Sequence, residues 1–305
     1  MSSAVPNLKA DNIMRVDGMV AVITGGGTGI GLMMSRALAA NGAAKVYILG
    51  RRMDVLEEAA KENPDILIPV QCDVTSKDSI QAAVDRVAKE VGFVNLVIAN
   101  SGVLGSKAHW NPKASVSELR QTLFTEHSMD DMTYGMHVNT TAAFFTMAAF
   151  LELLDAGNKN ALKGGFGAPL KAGSDVPSIQ SQVIFTSSVA AYSRHPFSSP
   201  SYAASKVAIM HLTKQAATAL AGHGIRANAL APGLFPSVLA SGLTADRDPG
   251  TETPENPSFI PARRFGGDEE MGGTILYLAS RAGAFNNGLI LLNDGGRASV
   301  MVSSY

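Results

Sequence analysis

The sequence predicts an α/β protein, a single doubly wound domain built on a seven-stranded parallel sheet. Three features carry that reading. Seven short apolar, β-branched runs recur along the 305 residues. The stretches between them show helical spacing, and neither a Pro- or Ser-rich linker nor a repeat of about 20 to 50 residues divides the chain. Alternating strands and helices call for right-handed crossovers, which lay the strands parallel and cover both faces of the sheet.

The runs lie at residues 20–24, 46–49, 66–70, 95–99, 183–186, 225–230 and 289–292. After the first, a helical stretch carrying the Met33-Met34 pair, read as core packing, ends near Asn41-Gly42. After the second, a helix is expected over 54–61. After the third, Ile80, Val84, Val87 and Val91 form one core-facing stripe of a helix over 76–91. Two longer helices are expected over 129–154 and 201–221. Two stretches break the rhythm. Residues 155–182 are rich in Gly, Lys and Pro and read as a surface insertion. Residues 234–261 combine Leu234, Phe235, Val238, Leu239, Phe259 and Ile260 with Pro236, Pro249, Pro254 and Pro257, which reads as a mobile cover over a site.

Composition sets the outer limits. With 46% hydrophobic and 17% charged residues the chain can fill a core. Lys plus Arg number 25 against 26 for Asp plus Glu, so no field draws the protein to nucleic acid or an anionic membrane, and neither is an expected partner. The lone Cys72 and six scattered His offer no zinc-ligand spacing and fit a reducing compartment. The most apolar run, 142–151, falls short of the roughly 20 residues a membrane span needs, and the first residues lack a signal-peptide pattern. A cytoplasmic protein without a metal is expected.

Directly after the first run comes Thr24-Gly25-Gly26-Gly27-Thr28-Gly29-Ile30-Gly31. Amides at a helix N-terminus attract anions, and glycines admit a pyrophosphate to the backbone; a tight strand-to-helix turn is the plain alternative. The spacing Gly25-xxx-Gly29-x-Gly31 resembles the TGxxxGxG fingerprint of the short-chain dehydrogenases/reductases, and further segments in order extend the likeness from about residue 17 to 297. It implies a Rossmann-type fold whose nicotinamide cofactor is held by Thr24, Gly25, Thr28, Gly29, Ile30 and Gly31. At the end of the second strand stands Gly50-Arg51-Arg52, with no carboxylate for a ribose 2'-hydroxyl; Arg51, beside Arg52, can fork onto a 2'-phosphate, which points to NADPH. Asp73-Val74 resembles the family's DV pair at the adenine. Asn100 and Gly102 resemble its NNAG turn, with Ala99 and Ser101 departing from it. Pro232-Gly233 matches the turn beside the nicotinamide, and Asn293-Asp294-Gly295-Gly296 approaches VDGG.

Tyr202 and Lys206 stand four apart, on one face of a helix. Ser187-Ser188-Val189-Ala190 follows the fifth strand, Tyr202 lies fourteen residues after Ser188, and Asn139 lies in an apolar helix. Together these resemble the family's SSVAG…YxASK segment, with one extra loop residue, and its helix-borne asparagine. The resemblance implies that Tyr202 donates a proton to the developing alkoxide, that Ser188 binds the same oxygen, and that Lys206 favours the phenolate and holds the nicotinamide ribose. Asn139 would anchor a water leading to solvent; a core asparagine bonded to backbone is its alternative. His195 reads as a surface-loop histidine, His137 as core or interface, and Trp110 and His109 are left unassigned.

The expected activity is an NADPH-dependent carbonyl reductase, reversible to secondary-alcohol dehydrogenation, resembling the 3-oxoacyl reductase branch. Its small-molecule substrate would be a largely apolar ketone such as a 3-oxoacyl or polyketide-like compound. A non-redox epimerase, dehydratase or cyclase, or a silent NADP-binding protein, is the alternative, which the complete Asn-Ser-Tyr-Lys set disfavours. The two longer helices would build a homodimer or homotetramer.

Overall fold

The computed structural model describes residues 7–196 and 198–303. All seven predicted strands form: β1 Val20–Thr24, β2 Lys45–Gly50, β3 Leu67–Gln71, β4 Leu96–Ala99, β5 Gln182–Thr186, β6 Arg226–Pro232 and β7 Ile290–Asn293. They make one sheet in the order β3-β2-β1-β4-β5-β6-β7, parallel throughout. The chain winds outward in both directions from β1 and β4, so the loops leaving these two strands diverge and open a crevice at their C-terminal ends. Register places Thr24 beside Leu49 and Ala99 beside Phe185, which brings the loop-bearing ends of four strands to one edge.

Alternate side chains of the strands feed two layers. On one face Val22, Tyr47, Val97 and Phe185 meet Ile80, Val84 and Val87 of the helix Lys77–Glu90. On the other, Ile23, Ile48, Ile98 and Ile184 meet Met34 and Leu38 of the helix α1, Gly29–Ala40, together with Met271, Ile275 and Leu278. Both faces are covered, as continuous apolar strands require. Ser76 caps its helix by accepting from the Ser79 amide, which fixes the start where the sequence placed it.

The expected helix over 129–154 is not continuous. It runs as α2, Met129–Met136, passes through a π turn at His137–Thr141, resumes as α3, Ala142–Ala149, breaks at Phe150 and continues as α4, Leu151–Ala161. The stretch 155–182 is therefore an irregular surface run only over 162–181; its first seven residues are helical and Gln182 belongs to β5. Leu153, Leu154, Gly157 and Ala161 face inward on α4. Gly157, a loop signal in the sequence, is there for contact, since a Cβ on it would fall 2.2 Å from the Val94 carbonyl oxygen. The other long helix, α5, spans Pro200–Leu220. Among the described residues no helix is long and apolar enough to cross a membrane.

Gly157→Ala separates the two readings of that segment. In a surface loop or free helix it would be neutral or stabilising by up to about 1 kcal/mol. Against the Val94 carbonyl it should destabilise by about 1 to 3 kcal/mol, read as a lower urea midpoint at unchanged slope.

Candidate active site

The glycine segment folds back tightly after β1. Gly25 and Gly29 take φ of 66° and 51°, the left-handed region open to glycine. A Cβ at Gly27 would fall 2.8 Å from Leu56 Cδ2, and one at Gly31 would fall 2.1 Å from the Gly25 carbonyl oxygen. The loop therefore presents backbone, without side-chain bulk, to a cleft of about 800 Å³ including its open mouth. Of the residues expected at a cofactor, Gly25, Thr28, Arg51, Arg52, Asp73, Val74 and Gly102 line that cleft, with Thr75, Ser101, Val103 and Tyr134, whereas Thr24, Gly29, Ile30, Gly31, Asn100, Tyr202, Lys206, Pro232 and Gly233 are not part of its lining. Asp73 Oδ1 accepts from the Thr75 hydroxyl at 2.7 Å and amide at 2.9 Å; these bonds, with a lesser pull from Arg51, hold its carboxyl below the usual range. Among the described residues, neither Arg51 nor Arg52 has a side-chain hydrogen bond or ion pair within the protein. A cradle of bare backbone with two unengaged guanidinium groups beside it fits a phosphorylated nucleotide.

The side chains of Thr24 and Asn100 are bonded within the protein. The Thr24 hydroxyl accepts from the amides of Asn100 at 2.9 Å and Ser101 at 3.0 Å. Asn100 Nδ2 donates to the Thr24 carbonyl at 3.0 Å, and its Oδ1 accepts from the Thr186 hydroxyl at 3.1 Å. Both side chains are absorbed in joining β1, β4 and β5, so they hold the loops that line the cleft.

Tyr202 and Lys206 lie on the first two turns of α5, which Ser199 caps and Pro200 opens. The Lys206 ammonium is buried, donates to the Thr186 carbonyl at 2.8 Å and sits 5.6 Å from the Tyr202 ring centre. Burial brings it down to about 8. Burial pushes the Tyr202 phenol up, opposed by a side-chain hydrogen bond with Ser188. Ser188 is itself fixed, accepting from the Ala190 amide at 3.1 Å at the start of a short 3-10 turn. Asn139 completes the group from the π turn, a feature common at functional sites. Its Oδ1 accepts from the Val103 amide at 2.8 Å, and its Nδ2 donates to the Val103 carbonyl and the Ser205 hydroxyl, both at 2.9 Å. A Cβ built on Gly102 would lie 3.1 Å from Asn139 Oδ1 and 3.4 Å from Lys206 Nζ, so those two side chains converge on one glycine.

Sequence reasoning passed over the supporting hydroxyls. Ser205 passes the Asn139 contact on to the Tyr202 carbonyl at 2.7 Å, and Ser187 holds the Lys206 carbonyl at 2.7 Å. Their signal was the Thr186-Ser187-Ser188 run directly after a strand and the serine inside Tyr202-Ala203-Ala204-Ser205-Lys206. His137 is exposed in the π turn, within electrostatic reach of Asp73, and is not a core residue. The Trp110 amide donates to the Pro196 carbonyl at 2.8 Å, tying the loop after β4 to the stretch between Ser188 and Tyr202.

Gly233 follows β6 and lets the chain after β7 approach; a Cβ there would fall 2.6 Å from Asp294 Cα. Of the apolar residues over 234–261, Phe235 and Ile260 are buried anchors in the body of the protein, while Val238, Leu239 and Leu243 are exposed. A Cβ at Gly29 would fall 2.8 Å from Ser237 Cβ, so the cover rests on the glycine segment. Among the described residues no group of three or more His, Cys, Asp or Glu could hold a metal.

A doubly wound sheet with a glycine cradle and a buried Tyr-Lys pair defines a nucleotide-dependent oxidoreductase scaffold. A family model described as enoyl-(acyl carrier protein) reductase matches residues 25–298, and the chain belongs to the short-chain dehydrogenase/reductase family. It is 63% identical over 272 residues, 89% of its own length and 100% of the relative's, to the short-chain dehydrogenase/reductase SAT3 of Stachybotrys chartarum. It is 43% identical to PhomF of Diaporthe leptostromiformis, over 100% of this chain and 99% of the relative. Among solved structures, a gluconate 5-dehydrogenase from Burkholderia cenocepacia in complex with NADP and tartrate superposes with a TM-score of 0.74 at 28% identity, covering 95% of this chain and 99% of that one. The protein is thus an oxidoreductase of CH–OH or carbonyl groups that uses a nicotinamide cofactor.

The Lys206 environment predicts a pH signature in the protein alone. A depressed folded-state value means that the unfolded chain binds the extra proton between pH about 8 and the ordinary lysine value, so stability from this group rises with pH across that window and is lowest below it. The stability difference between the natural protein and Lys206→Met, from urea unfolding, should move in favour of the natural protein from pH 8 to 10. A pH-independent difference would refute the assignment.

Proposed function

We propose that the chain reduces a largely apolar ketone to a secondary alcohol with NADPH, using Tyr202, Ser188, Lys206 and Asn139. One observation carries the reading: the Tyr202 phenol is kept protonated by burial beside the Ser188 hydroxyl, with an ammonium under its ring. A phenol that keeps its proton at neutral pH is a general acid in waiting. The bound cofactor supplies hydride to the carbonyl carbon. The carbonyl π pair moves to oxygen, where Ser188 donates a hydrogen bond and Tyr202 delivers its proton, leaving alcohol and phenolate. The nearby ammonium stabilises that phenolate until a solvent proton restores it. Asn139 holds Val103 and Ser205 in place around the pair.

NADPH preference is supported by Arg51 and Arg52, exposed on the cleft with no side-chain hydrogen bond or ion pair among the described residues, and by the lack of a carboxylate in Leu49-Gly50-Arg51-Arg52 at the end of β2. Thr24, Gly25, Thr28, Gly29, Ile30 and Gly31 would surround the phosphates, Asp73 and Val74 the adenine, and Asn100, Gly102, Pro232 and Gly233 would position the nicotinamide half. We read the enzyme as a cytoplasmic homodimer or homotetramer; the exposed Met129, Phe144 and Phe145 of α2 and α3 and Val207 of α5 are the apolar side chains an interface between copies would cover.

Two measurements decide. Arg51→Ala should weaken NADPH by about 1.5 to 3 kcal/mol, roughly 10- to 150-fold in the Michaelis constant, and leave NADH unchanged; equal use of the two cofactors by the natural protein overturns the preference. Tyr202→Phe should retain NADPH binding and lose turnover across a panel of cyclic ketones, 3-oxoacyl thioesters, enoyl thioesters and small keto acids. Normal turnover by that variant refutes the mechanism, and activity confined to enoyl thioesters or charged keto acids refutes the substrate class.

A further inference from the structure

The stretch between Ser188 and Tyr202 and the cover over 234–261 stand far apart in sequence, yet both are bonded to the same C-terminal segment. After β7 the chain turns through Gly295 and Gly296, at φ of 62° and 85°. A Cβ at Gly295 would fall 2.9 Å from Ile260 Cγ2, and one at Gly296 would fall 3.1 Å from Pro261 Cβ, so the turn lies flat on the base of the cover. The Asp294 carboxylate accepts from the Gly296 amide at 3.0 Å and the Ala298 amide at 2.6 Å, which starts the short helix Arg297–Val300.

Arg297, at its first position, reaches the cover. Nη1 donates to the Phe259 carbonyl at 3.0 Å and Nη2 to the Pro257 carbonyl, while the Ala262 amide donates to the Gly295 carbonyl at 2.9 Å. A fork onto two carbonyls of one loop fixes its backbone in direction as well as distance, which a lysine ammonium does not do. At the far end of the segment, Ser303 forms an antiparallel bridge with Ser193. The Arg194 amide donates to the Val302 carbonyl and Arg194 Nε to the Ser303 carbonyl, each at 2.7 Å. Tyr192, whose phenol is pushed up first by burial and then by the Asp294 carboxylate, brings the same stretch against the turn.

We propose that residues 294–303 form a tie that sets the spacing between the two walls of the substrate site, with Arg297 and Arg194 as its positioning residues. The proposal rests on the reading that the ketone enters between the cover and the stretch that follows Ser188. Displacement of the cover by substrate is carried through Arg297 and the short helix to residues 192–194, and so to the loop joining the Ser188 and Tyr202 hydroxyls. The walls respond as a pair, and substrate fit depends on residues that touch neither substrate nor cofactor.

Hydrogen–deuterium exchange on the NADPH-bound protein tests the tie without turnover. Arg297→Ala is expected to accelerate exchange at 241–260 and also at 192–196; Arg194→Ala is expected to do the same at both. With a bicyclic ketone, each variant should raise KM at least tenfold, with kcat within threefold and the NADPH dissociation constant unchanged, and Arg297→Lys should show a smaller KM increase of the same kind if the alanine variant fails to fold. The double variant should raise KM by less than the product of the single effects, because both side chains brace the same segment. Faster exchange confined to the wall next to each substitution, or a fully multiplicative double variant, overturns the proposal. Should the natural protein reduce no ketone, the proposed activity falls while the exchange result still decides whether the walls are tied.

Discussion

A buried chain of three side chains, Thr24, Asn100 and Thr186, holds the ends of β1, β4 and β5 together, and the site depends on it. At the point where the strand order reverses, parallel neighbours send their loops in opposite directions, so nothing in the ladder itself keeps those loops in register. The Thr24 hydroxyl and the Asn100 amide supply that register by replacing missing backbone bonds. The same Thr186 whose hydroxyl ends the chain also receives the Lys206 ammonium on its carbonyl. One residue therefore couples the geometry of the glycine segment to that of the Tyr-Lys pair.

Burial governs the electrostatics of that pair. A lysine four residues after a tyrosine suggests a depressed phenol, and the sequence reading followed that logic. In the folded chain desolvation dominates and acts oppositely on the two groups, raising Tyr202 and lowering Lys206 to about 8. No carboxylate contributes to the shift of either group; a value of about 8 still leaves Lys206 mostly protonated at neutral pH, where its ammonium donates to the Thr186 carbonyl. The resting arrangement is therefore that of an acid with its proton in place, which suits delivery to an alkoxide.

All seven strands were legible because strands of a covered parallel sheet read as short apolar runs, and the Asn-Ser-Tyr-Lys set was assigned from the resemblance of its segments, in order, to those of the family. The interruptions were not. A π turn at His137–Thr141 and a break at Phe150 leave no mark in an apolar stretch of uniform helix formers such as Ala142-Ala143-Phe144-Phe145. Gly157 and its polar neighbours signalled a loop because glycine marks both turns and close approach, and only the position of the Val94 carbonyl distinguishes them. The hydroxyls of Thr186, Ser187 and Ser205 stayed silent for a related reason: serine and threonine are common residues, and the partners Asn100, Lys206 and Asn139 that give these three their place at the site lie 86, 19 and 66 residues away.

The cover shows how an apolar inventory can mislead about a pocket. Two of its largest apolar side chains, Phe235 and Ile260, serve as anchors, and Phe235 leaves so little room that a Cβ at Gly266 would meet its ring at 2.4 Å. Within the segment, Arg247 forks onto Glu252 Oε1 at 2.9 and 2.6 Å and lies 5.6 Å from the Phe265 ring, a buried ion pair in a loop rich in proline. Such a pair adds little net stability but is costly to break from one side, so it fixes one loop conformation against others of similar burial. The exposed Val238 and Leu239 stand on a loop whose backbone is held by guanidinium groups, Arg247 donating to the Ser258 carbonyl and Arg297 to the Phe259 carbonyl. The path of the loop on this side of the sheet thus follows from where Arg247 and Arg297 hold it as much as from which apolar residues it buries.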